Sequence, residues 1–285
     1  MKTHTFSIVV GSAACNAGCP WCVSKMTLSE APKGDTINWH RFDTACNIVQ
    51  QARDGLVNVL LTGKGEPMLF PTHISAYLEA LDRKNFPLID LQTNGTLIEK
   101  ELDKLTHWRD SGLTLVCISI AHWHSDESCR LMKIKDNYNF FESIAQLHDH
   151  GLAVRLNCTL MQDGVSNTYG VDHLIESCRM YGVEQLTFRE VETSAGGDAD
   201  VWNHATSQKL IYQEPNWLRN HLIWNKATKL LDLPHGAEVY DYQGQNVCIS
   251  NCLTSTTDAN DIRQVIYFPD GRIAYDWKYP GARLL

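Results

Sequence analysis

Three cysteines on one short stretch are the residues of this chain best suited to chemistry. Cys15, Cys19 and Cys22 are spaced CxxxCxxC in the segment Cys15-Asn-Ala-Gly-Cys-Pro-Trp-Cys22. Three thiolates on one loop can each bind one iron of a cubane [4Fe–4S] cluster, which leaves the fourth iron without a protein ligand. The spacing alone leaves two other interpretations open. Cys19 and Cys22 could form a thioredoxin-like redox pair, or the thiols could bind zinc with a fourth ligand from elsewhere.

Short polar motifs follow the apolar segments that come later in the chain. Thr62-Gly-Lys-Gly-Glu-Pro67 ends one such segment, and Gln92-Thr-Asn-Gly-Thr96 ends the next. Glycines let a backbone approach a ligand closely, and a carboxylate such as that of Glu66 can accept a hydrogen bond from a cationic amine. Ser119 and Asn157 lie near the ends of two further apolar segments. Ligands bind at the carboxyl ends of parallel strands, so we expect these motifs around one site.

Taken in this order, the motifs resemble those of the radical S-adenosylmethionine (SAM) superfamily. The resemblance implies that Cys15, Cys19 and Cys22 hold a [4Fe–4S] cluster whose open iron is chelated by the amino and carboxylate groups of SAM. It implies that one-electron reduction breaks the S–C5′ bond of SAM and that the resulting 5′-deoxyadenosyl radical abstracts hydrogen from a substrate. The residues that it assigns to SAM are Trp21, beside the adenine, and Gly63, Gly65, Glu66, Pro67, Thr93, Asn94, Ser119 and Asn157. Lys64 departs from the commonest form of the glycine motif, although the GxGEP core is kept.

Two arginines on predicted strands are candidates for substrate contact and hence for the catalytic site. Arg155 lies two residues before Asn157, so both side chains can face the same interior, and Arg189 lies on the following strand. A buried charge costs several kcal/mol unless it is paired. Each arginine is therefore either half of an ion pair or a ligand for a carboxylate or phosphate. This favours a small, phosphorylated, carboxylated or nucleotide-like substrate.

The stretch Val154-Arg-Leu-Asn157 is similar to Lys-containing stretches in the branch of the superfamily that includes the GTP cyclase of molybdenum-cofactor biosynthesis. A second complete set of cysteines and a Gly-Gly tail are missing, so we do not expect the GTP cyclase itself. A peptide-modifying maturase of the superfamily remains an alternative. The pair Cys248 and Cys252 could contribute to an auxiliary cluster or could be free thiols.

The elements that must position these residues follow a strand–helix rhythm. Strands are predicted at Thr5–Val10, Leu56–Thr62, Leu88–Thr93, Leu113–Ile120, Leu152–Leu160 and Gln185–Val191, with amphipathic helical stretches between them. Alternation at about 30 residues indicates βαβ units and a parallel sheet. We expect an α/β fold: a partial (β/α)₆ TIM-like barrel over residues 1–192, and an α+β extension over 193–285 that caps it.

Short sequence patterns predict where individual helices and strands begin and end. Thr96-Leu-Ile-Glu99 is predicted to be a capping box that opens a helix, and Gly112, Gly151 and Gly182 are predicted left-handed helix ends. In the extension, a helix is predicted over Pro215–Leu231 and strands over Glu238–Ile249 and Gln264–Trp277. A turn at Phe268–Arg272 divides the second range into two alternating runs, which predicts a terminal hairpin.

Composition narrows the possible partners. The 285 residues are 44% hydrophobic and carry a net charge of −8, which argues against a protein that coats nucleic acid or an anionic membrane. No apolar run approaches the roughly 20 residues needed to cross a bilayer. We expect a cytoplasmic protein that takes an electron from a flavodoxin- or ferredoxin-like donor. Its ten cysteines should be reduced, and most should be packing residues.

Overall fold

A computed structural model describes residues 2–32, 36–136, 138–193, 197–214, 216–251 and 261–285. Strands and helices alternate over the first two thirds of the chain, as the rhythm predicts. These elements are β1 (Lys2–Val9), α1 (Val23–Met26), α2 (Trp39–Ala52), β2 (Arg53–Thr62), α3 (Pro71–Asp82), β3 (Ile89–Thr93), α4 (Leu102–Asp110), β4 (Leu115–Ile120), α5 (Ser125–Leu131), α6 (Phe140–Asp149), β5 (Ala153–Leu160), α7 (Thr168–Met180) and β6 (Gln185–Glu190). Short 3₁₀ turns lie at Pro67–Leu69 and Glu99–Glu101.

The extension adds strands to both edges of this sheet. Its elements are α8 (Ala199–Ser207), α9 (Trp217–Trp224), β7 (Thr228–Asp232), β8 (Glu238–Tyr242), β9 (Gln245–Asn251), β10 (Asp261–Ile262), β11 (Val265–Tyr267) and β12 (Ile273–Ala274). The strand order is β12-β11-β1-β2-β3-β4-β5-β6-β9-β8-β7, with β10 also beside β1. Every pairing from β11 through β1–β6 to β9 is parallel. β6 ends close to the predicted boundary at residue 192, which itself stays a prediction.

Burial on the two faces of the strands separates the core from the site. In β5, Val154, Leu156 and Cys158 are buried against the helices, whereas the alternating residues are half-buried and face the inside of the curved sheet. The helices supply matching apolar side chains. Trp108 of α4 is fully buried and donates through its indole N–H to Ser75 Oγ at 2.8 Å. None of the described helices is long and apolar enough to span a bilayer.

The structure corrects two predictions in the extension. The predicted helix over Pro215–Leu231 ends at Trp224, and Lys226 follows with a φ of 65°, which breaks the helix before β7. The predicted single strand over Glu238–Ile249 is a hairpin. Gln243 and Gly244 have φ values of 55° and 87°, the two positive values that a type I′ turn requires. The predicted terminal hairpin is confirmed, because β11 and β12 pair antiparallel around its turn.

The predicted capping box at Thr96–Glu99 is wrong. A 3₁₀ turn occupies Glu99–Glu101, and α4 begins only at Leu102. The Thr96 hydroxyl is bonded elsewhere: it donates to Asn94 Oδ1 at 2.8 Å and accepts from Asn16 Nδ2 at 2.7 Å. The residue that suggested a helix cap is therefore part of a network that reaches the cysteine loop.

Candidate active site

A cavity of about 350 Å³ lies inside the curved sheet, between the cysteine loop and the extension. Its walls come from the interior faces of β1 to β6 and from residues of the last third of the chain. The predicted site residues on its walls are Cys19, Trp21, Cys22, Gly63, Ser119, Asn157 and Arg189. The structure therefore brings together motifs that are more than 160 residues apart in sequence. Of the other predicted residues, Cys15 is exposed, and Gly65, Glu66, Pro67, Thr93, Asn94 and Arg155 do not line the cavity.

The cysteine loop places its thiols close enough to affect one another. Burial and the neighbouring thiols of Cys22 and Cys15 raise the pKa of Cys19 to about 12. Burial also raises the pKa of Cys15, and the nearby Glu66 and Cys22 act in the same direction. Three thiolates on this loop would repel each other unless a positive centre lay between them, and the irons of a cluster supply that charge. The donor set and its spacing therefore fit a [4Fe–4S] cluster.

A cluster does not need its ligands to converge on one point, because each thiolate binds a different iron. Among the described residues, no three His, Cys, Asp or Glu side chains converge closely enough to share a single metal ion.

The glycine motif packs directly against the cysteine loop. The Glu66 backbone N–H donates to the Ala14 carbonyl at 2.9 Å. A Cβ on Gly65 would lie 2.0 Å from that same carbonyl oxygen, so only glycine allows the two backbones to approach so closely. Gly65 is thus required to seat the loop, and the structure gives it this role rather than a place on the cavity wall.

The Glu66 side chain is turned inward, away from the cavity. It is 3% exposed, and its carboxylate accepts hydrogen bonds from Thr93 Oγ1 at 2.7 Å, from Asn94 N at 2.8 Å and from Met68 N at 2.9 Å. Burial raises the pKa of Glu66, while these donors lower it. This differs from the expected direct contact with the SAM amine. All three donors belong to the protein, so Glu66 joins the second and third motifs and acts as a positioning residue.

The third motif holds the cysteine loop from its other side. Asn94 is 6% exposed, and its Nδ2 donates to Asn16 Oδ1 at 2.8 Å. The Tyr138 hydroxyl donates to the Asn94 carbonyl at 2.5 Å. Thr93 and Asn94, which were expected to touch SAM, are therefore connected through Asn16 to the cluster ligands. Sequence reasoning missed Asn16, although a polar residue inside the cysteine loop was the available signal.

Lys64 fastens the segment that follows the cysteines. Its Nζ donates to the Ser24 carbonyl at 2.9 Å, to Thr27 Oγ1 at 2.7 Å and to Ser29 Oγ at 3.1 Å. Burial lowers the pKa of Lys64 to about 8. The departure from the commonest motif thus introduces three hydrogen bonds around α1, a role that the sequence did not predict.

Ser119 and Asn157 lie side by side at one level of the cavity wall. The parallel register of β4 and β5 pairs these two residues directly. Asn157 Oδ1 is buried and accepts no hydrogen bond within the described part of the chain. A buried carbonyl oxygen without a donor costs free energy, so a polar ligand is expected there. The unsatisfied oxygen in this cavity fits the predicted binding of SAM.

The two candidate arginines have different surroundings. Arg155 Nη1 pairs with Asp90 Oδ2 at 2.9 Å, and its Nε donates to Gln185 Oε1 at 2.8 Å. It is not on the cavity wall, so of the two alternatives Arg155 takes the ion pair. Arg189 is on the wall, and its Nε is buried with no hydrogen-bond acceptor among the described residues.

Of the cysteine pair in the extension, only Cys248 lies within the described residues. Cys248 is half-buried on β9, beside Thr187 of β6, and burial raises the pKa of its thiol. Cys252 lies outside the described residues. An auxiliary cluster at this pair therefore stays a prediction.

Comparison with known proteins decides the family. The sequence profile of the radical SAM superfamily matches residues 9–173, which is more than half of the chain. The chain belongs to the radical SAM superfamily. Membership confirms the predicted family and the two cofactors that define it, a [4Fe–4S] cluster and SAM.

One curated relative indicates the branch of the superfamily to which this chain is related. GTP 3′,8-cyclase of Chlorobaculum tepidum is 25% identical over 206 residues, which cover 70% of this chain and 57% of that protein. The chain thus spans little more than half the length of this relative. The match confirms the predicted relation to the molybdenum-cofactor cyclase branch of radical SAM proteins.

Solved radical SAM structures share the fold. Streptococcus suis SuiB bound to precursor peptide SuiA is 12% identical, with a TM-score of 0.61 over 95% of this chain and 59% of that chain. Native anSMEcpe with bound AdoMet is 19% identical, with a TM-score of 0.60 over 98% of this chain and 76% of that chain. At these identities the likeness concerns the fold alone, and it confirms the predicted α/β partial barrel.

Proposed function

We propose that this chain cleaves SAM reductively at a cluster held by Cys15, Cys19 and Cys22 and abstracts hydrogen from a small substrate in the cavity. When bound, the cluster and SAM supply the 5′-deoxyadenosyl radical that performs the abstraction. The observation that carries the proposal is the convergence of two cluster cysteines, Trp21 and Asn157 on one cavity. A rearrangement, cyclisation or oxidation would follow.

The chain's own residues have separate tasks in this proposal. Ser119 and Asn157 offer polar atoms to SAM, and Trp21 presents an aromatic wall for its adenine. Glu66 and Lys64 hold the cysteine loop in place through the contacts described above. The strands of the extension cover the cavity and limit the access of water and oxygen, so that the cofactor chemistry stays on the substrate.

A small molecule fits the cavity better than a long peptide does. Residues of the extension, including Asn251, Gln264 and Trp277, form part of its wall. The cavity of about 350 Å³ also contains the SAM site, which favours a compact substrate. Peptide modification, the alternative, would require the extension to leave an open path for a chain.

The proposal is tested with protein purified anaerobically and reconstituted with iron and sulfide. Dithionite replaces the proposed flavodoxin- or ferredoxin-like donor, SAM is added, and 5′-deoxyadenosine is measured by liquid chromatography. We expect a brown protein that forms 5′-deoxyadenosine. Cys15→Ala should lose both the iron and the product, whereas Cys46→Ala, which changes a buried thiol on α2, should keep both.

Each alternative interpretation of the loop predicts another result. A thioredoxin-like enzyme needs only Cys19 and Cys22, so Cys15→Ala would keep disulfide reductase activity. A zinc-binding module would be colourless and indifferent to SAM. Either result, or iron retained in Cys15→Ala, would refute the proposed function.

A further inference from the structure

Basic side chains gather at one side of the cavity. Arg189 lies near the end of β6, Arg263 lies between β10 and β11, and His235 lies in the turn between β7 and β8. All three are on the cavity wall. Two of the three come from the extension, and none belongs to a motif that binds the cluster or SAM.

Arg189 has a buried N–H group for which the described residues provide no acceptor. Its Nε is buried and unsatisfied, whereas the equivalent atom of Arg155, on the neighbouring strand, donates to Gln185. A buried guanidinium N–H without an acceptor is costly. Since this group faces the cavity, an acceptor carried by a ligand would remove the cost.

Arg263 is held firmly at the same side. The short segment that carries it is bonded to β1 on both flanks: His4 Nε2 lies 3.2 Å from Asp261 Oδ2, and Ser7 Oγ donates to Gln264 Oε1 at 2.9 Å. Arg263 Nη1 donates to Thr5 Oγ1 at 2.5 Å. These contacts fix the position of the guanidinium group before any ligand arrives.

The like charges are close enough to act on each other. Burial and the charge of Arg189 lower the pKa of Arg263 to about 10. Burial, with Arg263, His4 and Arg189, lowers the pKa of His235 to about 4. This side of the cavity therefore has a positive potential, and a neutral His235 there can still donate a hydrogen bond.

The acidic residues on the wall have hydrogen bonds of their own. Glu192 accepts from the backbone N–H of Thr193 at 3.0 Å, and Asp276 accepts from that of Lys278 at 2.6 Å.

The depth of Arg263 separates it from the carboxylate of SAM. In this superfamily that carboxylate binds the open iron, and the cysteine loop comes after the carboxyl end of β1. Thr5, the partner of Arg263, lies four residues before Val9, where β1 ends. Four residues of strand span about 13 Å. Arg263 therefore lies deeper in the barrel than the cluster ligands.

We propose that Arg189, Arg263 and His235 bind an anionic group of the substrate, a carboxylate or a phosphate, and so orient the substrate toward SAM. This proposal rests on the proposed function and assigns the class of its substrate. The chemistry of guanidinium groups favours such planar or tetrahedral oxyanions.

The first test uses the wild-type protein with its cluster reconstituted and no reductant, first without SAM and then with saturating SAM. Phenylglyoxal modifies accessible arginines, and the modified peptides are quantified by mass spectrometry with and without inorganic phosphate or acetate. We expect phosphate, acetate or both to protect Arg189 and Arg263 at least about tenfold. Arg83, an exposed residue at the end of α3, is the internal control and should be modified equally throughout. Protection by inorganic phosphate indicates a phosphate group on the substrate, and protection by acetate indicates a carboxylate.

The second test measures the affinity of the same anions by calorimetry. Arg263→Met and Arg189→Met should each weaken the binding of the protecting anion at least about tenfold, while Arg83→Met should bind it as the wild type does. The loss for the anion should exceed any loss for SAM by severalfold. Circular dichroism confirms that each variant is folded, and the protection experiment decides the question if a variant is not.

Three outcomes would overturn the inference. They are the absence of protection by either anion, protection of both arginines by SAM alone, and unchanged anion affinity in both folded variants. The same preparation is assayed for 5′-deoxyadenosine after reduction. A protein that cleaves SAM but ignores anions refutes only this inference, whereas one that does not cleave SAM refutes the proposed function.

Discussion

Glu66 offers the sharpest test of how the motifs cooperate. Its carboxylate is 3% exposed and accepts three hydrogen bonds, two on Oε1 and one on Oε2. In Glu66→Gln only one acceptor oxygen remains. If the remaining oxygen takes the position of Oε1, the new NH₂ group takes the position of Oε2. Two hydrogen-bond donors, this NH₂ group and the backbone N–H of Asn94, then face each other. A buried donor left unpaired costs about 1–3 kcal/mol, so we expect the free energy of unfolding to fall by that amount.

The substitution should also weaken the contact that holds the cysteine loop. Asn94 binds Asn16 through its side chain, and a shifted Asn94 backbone would disturb that contact. We therefore expect Glu66→Gln to retain less iron after desalting than the wild type. The matched control is Glu176→Gln, which changes an exposed carboxylate on α7. This control should alter neither the free energy of unfolding nor the iron content.

Urea unfolding followed by circular dichroism measures the stability of the apoprotein, with an unchanged m-value as the condition for comparison. The opposite pattern would refute the positioning role. If Glu66 touched the SAM amine and held no motif together, Glu66→Gln would weaken SAM binding while its unfolding free energy and iron content matched those of Glu176→Gln.

Four further predictions concern single contacts. Asn157→Ala should raise the Kd for SAM about threefold to tenfold without loss of stability, because its Oδ1 has no protein donor; calorimetry with SAM checks this. Arg155→Met leaves Asp90 buried beside an apolar side chain and should cost about 3 kcal/mol in urea unfolding, part of which Asp90→Asn restores. Lys64→Met should make the cluster bleach faster in air, because the segment after the cysteines loses three hydrogen bonds. His235 has a folded pKa of about 4 and must take up a proton on unfolding, so stability should fall as pH drops from about 6.5 to 4. In His235→Asn, thermal unfolding should show a shallower fall over that range.

For four of the six barrel strands, the carboxyl end could be predicted from sequence to the residue, whereas β1 and β6 end one residue before their predicted ends at Val10 and Val191. Predicted and observed strands both end at Thr62, Thr93, Ile120 and Leu160. Gly63 follows Thr62 and Asn94 follows Thr93, and such residues stop an apolar strand sharply. The helix ends at Gly112, Gly151 and Gly182 are confirmed as well, with positive φ at each. Local patterns were sufficient here because the chemistry of a strand end or helix end lies within a few residues.

Contacts between motifs could not be predicted in the same way. The neighbours of Thr96 in the sequence predict a helix cap, but its hydroxyl bonds to Asn16, 80 residues earlier. The glycine motif predicts a ligand contact for Glu66, but its three hydrogen-bond donors lie within the protein. A side chain with several possible partners is decided by tertiary distance, which a single sequence does not contain.

The extension shows why substrate choice is harder to read than cofactor binding. The motifs for the cluster and SAM lie on strands whose order in the sheet follows the sequence, so their convergence follows from the βα rhythm. Arg263 reaches the cavity because its segment runs parallel to β1, more than 250 residues away in the chain. His235 reaches it from the turn after β7, a strand over which the sequence patterns predict the end of a helix. A related chain could keep every cofactor motif and still present different groups at this position. The chemistry that selects the substrate would then vary with the extension, while the barrel that generates the radical stays the same.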